Sequence, residues 1–241
     1  MEKKCNLIQE LVIIGGSNAF WEISELIKDI NSIKETYKII GVLDDNEILW
    51  GRKFEHLYVD GPIEKANIYS DNVKFILAIG SFRTRIIRSQ IIEKLDLPEE
   101  RYETLIHPTA KIFSTSKVKN GCIIHYGSVI FNHTIIESFS VISANCVIGV
   151  ENHIGKGALL GSTITTTTGV SIGSFSFIGS STAIGEGVEV APGAQVGMGS
   201  LVLKNIKAGC FVLGNPLRML DKIEVPENII KEWEIIKNNK K

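Results

Sequence analysis

Two histidines and one glutamate in the middle of the chain are of types that together could move a proton. They are His133, Glu151 and His153, and the last two are separated by a single residue. A carboxylate beside an imidazole orients the ring and raises its pKa, and such an imidazole could accept the proton of an amine. The three side chains can act together only if the fold stacks them. Otherwise they form a surface ion pair of little energetic weight.

A second group of candidate residues follows three short apolar runs near the N-terminus. The runs 11–14, 37–43 and 73–79 end in Gly-Gly-Ser, Asp-Asp-Asn and Gly-Ser respectively. Glycine lets a phosphate approach the backbone at a helix start, and carboxylates at the next strand end could hydrogen-bond a base or a ribose. The pattern GxGxxG is absent, so a tight turn with solvated carboxylates is the alternative. The candidate residues for binding a nucleotide are Gly15, Gly16, Ser17, Asp44, Asp45 and Gly80.

The elements that would position the first group come from a hexad repeat. From Ile106 to Val202 every sixth residue is aliphatic, except Thr166, and a small side chain precedes most of these positions by two. A helix repeats at about 3.6 and a strand at about 2, so neither explains this period. Repeats of this length are typical of a parallel β-solenoid, in which each coil buries its apolar side on its neighbours. Glycine directly after many aliphatic positions, as at Gly149 and Gly179, predicts corners with positive φ.

The elements that would position the second group form a small α/β domain. The first apolar run is followed by an amphipathic helix with Phe20, Ile23, Leu26, Ile27 and Ile30 on one side. The other two runs are predicted strands, and a second helix is predicted over about 83–97. This order predicts a Rossmann-like βαβ domain of about 100 residues. At the other end of the chain, Pro226 opens a predicted helix from Glu227 to about Asn238.

Composition excludes several classes of function. The chain has 241 residues, 44% of them hydrophobic, and a net charge of −1, which gives no electrostatic basis for binding nucleic acid. The sequence has neither a long apolar run nor a signal peptide, so we expect no membrane insertion and a cytoplasmic location. Cys5, Cys122, Cys146 and Cys210 lack metal-ligand spacing, and no metal site is expected. Cys122 and Cys146 fall at small inward positions and are predicted core thiols.

Five segments together resemble one family. They are IIGGS, GVLDDN, ILAIGS followed by arginine, IHPTA at the start of the hexads, and GNPLRM at their end. In sum they resemble the hexapeptide-repeat sugar acyltransferases, in particular the bacterial sialic acid O-acetyltransferases and UDP-4-amino-sugar N-acetyltransferases. The resemblance covers nearly the whole chain up to about Leu220. It implies a left-handed β-helix with three hexads in each coil, a homotrimer, and active sites between subunits.

The resemblance also implies roles for particular residues. The nucleotide-sugar would bind in the small domain, and acetyl-CoA or a larger acyl-CoA would lie along the later coils. The residues implied for acyl-CoA are Gly161, Gly179, Lys204, Gly214 and Pro216. With three hexads in a coil, His133 would lie beneath Glu151, and His153 is expected to point outward beside them. These three residues are the predicted catalytic cluster.

The sequence departs from the family at one important position. The family motif E-H-[ED]-C-V-I-G aligns with Ser143 to Gly149, which puts Ala144 at the catalytic histidine. Counting hexads instead puts Val150 there, so the histidine is missing either way. A second route needs no base, because a neutral amine could attack a thioester that Asn145 or a backbone N–H polarises. This route favours an amine acceptor over a hydroxyl.

These observations predict a mainly β protein in three parts. Residues 1–104 would form the α/β domain that binds the nucleotide-sugar, residues 105–222 the left-handed β-helix, and residues 223–241 a C-terminal helix. The predicted function is acyl-CoA-dependent N-acylation of a nucleotide-linked 4-amino-4,6-dideoxy sugar for surface glycan biosynthesis. Two alternatives stay open, a sugar O-acetyltransferase and a relative that binds nucleotide-sugar without catalysis.

Overall fold

A computed structural model describes residues 8–81 and 83–238, so Cys5 lies outside the described residues. The N-terminal part contains β1 (Gln9–Ile14), α1 (Ala19–Ile33), β2 (Tyr37–Leu43), β3 (Lys53–Phe54), β4 (Leu57–Tyr58), β5 (Lys74–Leu77) and α2 (Ile87–Leu95). Three short 3₁₀ helices cover Glu47–Leu49, Ile63–Ile68 and Glu99–Arg101. The main sheet is parallel with the order β2-β1-β5, and β3 pairs with β4 in a hairpin. The predicted α/β arrangement is confirmed, although the second helix is shorter than predicted.

The central strand β1 is covered on both faces, as is usual for a parallel sheet. Leu11 and Ile13 pack with the apolar side of α1, and Val12 and Ile14 pack with the layer that contains Phe75. All four side chains of this run are fully buried. The apolar side of α1 was predicted correctly, because Phe20, Ile23, Leu26 and Ile27 are buried and Ile30 is partly buried.

The second half of the chain is a parallel β-solenoid built from very short strands. Strands β6 to β22 are Leu105–Ile106, Lys111–Ile112, Lys117–Val118, Ile123–Ile124, Val129–Ile130, Ile135–Ile136, Val141–Ile142, Val147–Ile148, His153–Ile154, Leu159–Leu160, Thr165–Thr166, Ser171–Ile172, Phe177–Ile178, Ala183–Ile184, Glu189–Val190, Gln195–Val196 and Leu201–Val202. Each strand from β6 to β19 pairs with the third strand after it, for example Val129 of β10 with Val147 of β13. The predicted coil of three hexads is therefore confirmed, whereas the left-handed sense of the coil stays a prediction.

The strands form three faces that meet at three corners. Face 1 contains β6, β9, β12, β15, β18 and β21, and continues into β23 (Cys210–Leu213) and the antiparallel β24 (Arg218–Lys222). Face 2 contains β7, β10, β13, β16, β19 and β22, and face 3 contains β8, β11, β14, β17 and β20. We name the corners by the faces that they join: corner 1–2 has the turns that begin at residues 107, 125, 143, 161, 179 and 197.

The aliphatic residue of each hexad points into the prism. Most of these side chains, such as Ile124, Ile142 and Ile178, are fully buried in one continuous core, and Cys122 and Cys146 lie in that core as predicted. Thr166 occupies an aliphatic position and is also buried. Its Oγ1 accepts a hydrogen bond from the Gly149 amide at 3.0 Å. A hydroxyl is tolerated there because it has a partner.

The corners use glycine for a different reason from the predicted one. Positive φ occurs at the third residue after the aliphatic position, for example at Gly127, His133 and Asn145. Gly149, directly after its aliphatic residue, has no positive φ. A Cβ at Gly149 would lie 2.3 Å from the Thr167 carbonyl oxygen of the next coil. Glycine directly after the aliphatic residue therefore permits close stacking of coils, whereas the turn itself requires the left-handed residue two positions later.

The rest of the chain covers two of the three faces. The side of α1 packs on Leu105 and Ile123 of face 1, and the buried Arg88 of α2 donates to the Phe139 carbonyl oxygen at 2.5 Å. The C-terminal helix α3 (Glu227–Asn238) lies at face 3, since Val225 touches Gly193 and Lys237 pairs with Glu189 at 2.6 Å. Among the described residues, no helix is long and apolar enough to cross a membrane.

Candidate active site

Two connected clefts lie between the N-terminal domain and the solenoid, where α1 passes over face 1 and corner 1–2. The larger cleft has a volume of about 510 Å³ and the smaller about 110 Å³. Glu22, His125 and Ser143 line both clefts. The two clefts therefore meet at one carboxylate, one imidazole and one hydroxyl.

His107 closes the larger cleft on the side of the first coil. Its Nε2 lies 3.1 Å from Asp29 Oδ2, and its Nδ1 accepts a hydrogen bond from the Thr109 amide at 3.1 Å. An accepting Nδ1 places the proton on Nε2, so His107 donates to Asp29. Both ring nitrogens of His107 are used, and its role is to join α1 to corner 1–2.

His125 lies one coil above His107 and has no such partners. Within the residues that the structure describes, no side chain hydrogen-bonds to either of its ring nitrogens. Burial lowers the pKa of His125, and the neighbouring His107 lowers it further. The ring is therefore neutral at pH 7, and a neutral imidazole has one nitrogen free to accept a proton.

The opposite side of the larger cleft is acidic and aromatic. Glu22, Glu25 and Asp29 of α1 face the corner, and Trp21 and Tyr126 flank them. Glu25 pairs with Lys28 at 2.8 Å and Asp29 with His107. Glu22 has no cationic partner among the described residues. The arrangement suits a cationic or hydroxyl-rich ligand that can stack on an aromatic ring.

The predicted nucleotide-binding turns meet at the carboxyl edge of the main sheet. Gly15 has φ +120, and a Cβ there would lie 2.7 Å from the Ala78 carbonyl oxygen, so only glycine fits. The Gly16 amide donates to Asp44 Oδ2 at 2.7 Å, and Asp45 pairs with Lys94 at 2.8 Å. Both carboxylates thus already hold the turns together. Ser17 is exposed beside them.

Gly80 connects this edge with the clefts. It follows β5 and lines the smaller cleft together with Ala19 of α1 and Leu159 of face 1. Of the six predicted nucleotide-binding residues, Gly80 lines the smaller cleft and the other five line neither cleft. A ligand at the sheet edge could extend past it towards Glu22 and His125.

The predicted catalytic cluster of His133, Glu151 and His153 is not brought together. His133 and Glu151 are stacked and exposed at corner 2–3, but no ion pair joins them within the described part of the chain. His153 lies on the outer side of face 3, as expected, but it is only 4% exposed and no contact joins it to Glu151 among the described residues. Its Nε2 lies 3.3 Å from Glu137 Oε1.

Glu137 owes its ionisation to this contact. Burial alone would raise the pKa of Glu137, but hydrogen bonds from His153 and Lys119 hold the pKa below its usual value. The Lys119 ammonium lies 2.5 Å from Glu137 Oε2. The three side chains form an ion network at corner 3–1, remote from the clefts at corner 1–2.

The remaining predicted residues lie mostly along corner 1–2. Ala144 lines the larger cleft, and the exposed Asn145 follows it. Asn145 covers Gly127 of the coil below, where an added Cβ would lie 2.1 Å from the Asn145 Oδ1. Gly161 lines the smaller cleft and stacks below Gly179. Gly214 donates to Ser200 of the same corner at 2.9 Å.

Lys204 and Pro216 complete the set implied for acyl-CoA. Lys204 is exposed at corner 2–3, separate from the glycines of corner 1–2. Pro216 is exposed in the turn between β23 and β24 and follows a cis peptide bond.

Neither the acidic side of α1 nor His125 was singled out from the sequence as a functional feature. Glu22, Glu25 and Asp29 recur at helical spacing opposite the apolar side, which is also the pattern of an ordinary solvated helix face. The stacking of His107 and His125 was visible from the repeat. Nothing in the sequence indicated that α1 packs above that corner.

Comparisons with known proteins agree with this architecture. Residues 10–95 match the model of the PglD N-terminal domain, whereas no curated protein sequence matches the chain. A variant of perosamine N-acetyltransferase from Caulobacter crescentus, solved with CoA and GDP-perosamine, is similar with a TM-score of 0.75 and 21% identity over 90% of this chain and 99% of that one.

Two further solved structures are similar. The acetyltransferase domain of PglB from Neisseria gonorrhoeae, solved with acetyl coenzyme A, has a TM-score of 0.75 and 20% identity over 89% of this chain and 100% of that one. WeeI from Acinetobacter baumannii has a TM-score of 0.61 and 20% identity over 88% and 100%. At these identities the similarity establishes the fold. The chain joins a domain that matches the PglD N-terminal domain to a parallel β-solenoid, an architecture that it shares with these acetyltransferase structures.

Proposed function

We propose that the protein transfers an acyl group, with acetyl-CoA as the simplest donor, to the amino group of a nucleotide-linked 4-amino-4,6-dideoxy sugar. The observation that carries this proposal is the meeting of the two clefts at Glu22, His125 and Ser143. One cleft leads back past Gly80 to the nucleotide turns, and the other opens on corner 1–2. The similar structures from Caulobacter and Neisseria were solved with CoA and GDP-perosamine, and with acetyl coenzyme A.

The nucleotide would bind at the carboxyl edge of the main sheet. Gly15, Gly16 and Ser17 offer backbone and hydroxyl groups near the start of α1, where a phosphate is favoured. Asp44 and Asp45 already accept hydrogen bonds from the turns, so they would shape the base and ribose pocket while keeping those bonds. The sugar would extend past Gly80 into the clefts.

The acyl-CoA would lie along corner 1–2. Gly161, Gly179 and Gly214 follow one another up this corner and leave a shallow track without side chains. Asn145 stands at the lower end of the track beside Ala144, where its amide could polarise the thioester carbonyl. Pro216 would border the upper end.

A homotrimer would complete the site. Face 2 carries Val129, Val147, Thr165, Ala183 and Leu201 on its outer side, and Val147 is 38% exposed. Faces 1 and 3 are covered by the chain itself, so this stripe is available to a second copy. Because face 2 lies between corners 1–2 and 2–3, an association through it would bring His133, Glu151 and Lys204 of one subunit near the clefts of another.

An amine acceptor suits the clefts better than a hydroxyl. The unpaired carboxylate of Glu22 attracts an ammonium group but has no comparable attraction for a neutral hydroxyl. Both proposed substrates are metabolites of the cytoplasm, where we place the reaction as a step of surface glycan biosynthesis.

The test is CoA thiol release with acetyl-CoA and a panel of UDP-, dTDP- and GDP-linked 4-amino sugars. Wild type should release CoA with at least one amino sugar, and the product should carry an amide. Ala144→Trp should abolish turnover because the indole fills the larger cleft. Ile33→Trp, at an exposed position on the same domain as the clefts' helix, is the matched control and should keep wild-type turnover. Release with hydroxy sugars alone would favour O-acetylation, and nucleotide-sugar binding without any release would favour the non-catalytic alternative.

A further inference from the structure

We propose that His125 is the general base of this acyl transfer and that the carboxylate of Glu22 holds the substrate amine beside it. The inference rests on the proposed function and adds two residues to it. It follows from the position of both side chains at the junction of the clefts.

The first argument is availability. His125 lines both clefts, and the described residues offer its ring nitrogens no side-chain partner. His107, in the same larger cleft, is held on both nitrogens by Asp29 and Thr109. His153 is buried against Glu137 on another face. His125 is thus the imidazole in the clefts that can exchange a proton with a ligand.

The second argument is the arrangement of charge around the ring. Glu22, Glu25 and Asp29 face it from α1, His107 faces it from the coil below, and Arg88 of α2 reaches the smaller cleft. Glu25 and Asp29 are occupied by Lys28 and His107. Glu22 is therefore available to bind a cation. The amino group of a 4-amino sugar is such a cation, because it is an ammonium group at neutral pH.

The third argument is protonation. Burial and the adjacent His107 place the pKa of His125 below its ordinary value. A base that is neutral at the working pH can take the proton of the ammonium or of the attacking amine. The carboxylates of α1 then favour the imidazolium that this transfer forms.

The step balances within the two substrates, His125 and solvent, which takes up one proton. The amine nitrogen attacks the thioester carbonyl carbon, so the C–N bond forms and the C–S bond breaks. The bound ammonium has by then passed one proton through His125 to solvent, which frees the nitrogen lone pair. A second proton leaves the attacking nitrogen for His125 and then moves to the CoA sulfur. The products are the amide and CoA thiol, and His125 returns to its neutral form.

The experiment compares wild type with His125→Ala and with His56→Ala, an exposed histidine on the β3–β4 hairpin. His125→Ala should lower kcat by about 10²–10⁴-fold, with the Kd for the nucleotide-sugar changed less than threefold. Added imidazole should restore part of the rate, because the substitution leaves a space in the clefts. His56→Ala should behave as wild type. Thermal melts of all three proteins check that each is folded.

The pH dependence separates a base from a structural residue. Wild-type kcat should fall at acid pH with the pKa that NMR assigns to His125 in the complex, and His125→Ala should lose that limb. An unchanged kcat, or a change in KM alone without rescue, would overturn the assignment of His125 while leaving acyl transfer intact. No turnover by wild type with any amino sugar would reject the proposed function and this inference together.

Discussion

His125 and His153 carry the same side chain in opposite surroundings. The first faces open space between α1 and corner 1–2, whereas the second is 4% exposed and in contact with Glu137. The Nδ1 of His153 is buried without a partner among the described residues. The contact with Glu137 therefore offsets the cost of burying the polar ring of His153. We expect the loss of this contact to lower the free energy of unfolding.

Glu137→Gln should lower the free energy of unfolding at pH 7 by about 1–3 kcal/mol, because the neutral amide makes weaker hydrogen bonds to Lys119 and His153. Since the folded state holds the pKa of Glu137 below its usual value, the stabilisation is present above the unfolded pKa and is lost as pH falls through the folded pKa. Urea unfolding at pH 7 and at acid pH measures both effects.

Glu227→Gln is the control, because Glu227 forms an exposed pair with Lys231 at 3.3 Å. It should change stability little at either pH. An equal loss of stability at pH 7 and well below the folded pKa of Glu137 would contradict the assigned ionisation.

The repeating element of this fold is a short strand followed by a tight turn. In the hexads that begin at Val118 and end at Val196, the third residue after the inward position adopts positive φ even where it is Phe139 or Thr163. Turn conformation is therefore imposed by stacking and does not depend on glycine at each corner. Glycine is required where φ is positive and a Cβ would also collide with a neighbouring atom.

Two glycines separate these requirements. Gly157 has φ +64, and an added Cβ would lie 2.4 Å from the Phe175 ring, whereas Gly187 has φ +66 with nothing within 4 Å. Gly187→Ala should cost about 1–2 kcal/mol from the backbone alone, and Gly157→Ala about 1–3 kcal/mol more from overpacking. Thermal unfolding of both variants gives the comparison. Equal losses would show that the Phe175 ring moves away without penalty.

The fold at this scale was predictable because each hexad specifies its own strand and turn. The aliphatic residue from Ile106 to Val202 fixes the inward side, and strands three hexads apart pair as the repeat requires. The site was not predictable in the same way. The position of His125 beneath α1, and the contact of α3 with Glu189, depend on packing between distant parts of the chain that no local pattern records. The sequence also could not distinguish glycines needed for φ from Gly149, needed for close stacking.

At the scale of the whole molecule, two faces of the prism are covered by the chain and the third is not. Val147 lies near the middle of the uncovered face 2, between Val129 and Thr165 of the neighbouring coils. Its side chain points away from the solenoid core. A change at this position can therefore test association without disturbing the fold.

Val147→Glu should convert the proposed trimer into monomers, because association would bury three unpaired carboxylates around one axis. Light scattering after size-exclusion chromatography measures the mass. Val147→Thr keeps the shape of the side chain and should remain a trimer. A trimeric Val147→Glu protein, or a monomeric wild type, would exclude face 2 as the interface.

The last strand of face 1 has a consequence for behaviour in concentrated solution. A stack of parallel strands ends in a row of amides and carbonyls on which another molecule could grow a fibre. Here β24 runs antiparallel to β23, the ladder is irregular between Phe211 and Val212, and the exposed edge carries Arg218, Asp221 and Lys222. The antiparallel direction of β24, the shift in its register and its charged side chains together make this edge a poor partner for a further parallel strand. The last strand of face 1 can therefore be exposed without pairing with another molecule, whereas a parallel edge without β24 would favour such pairing.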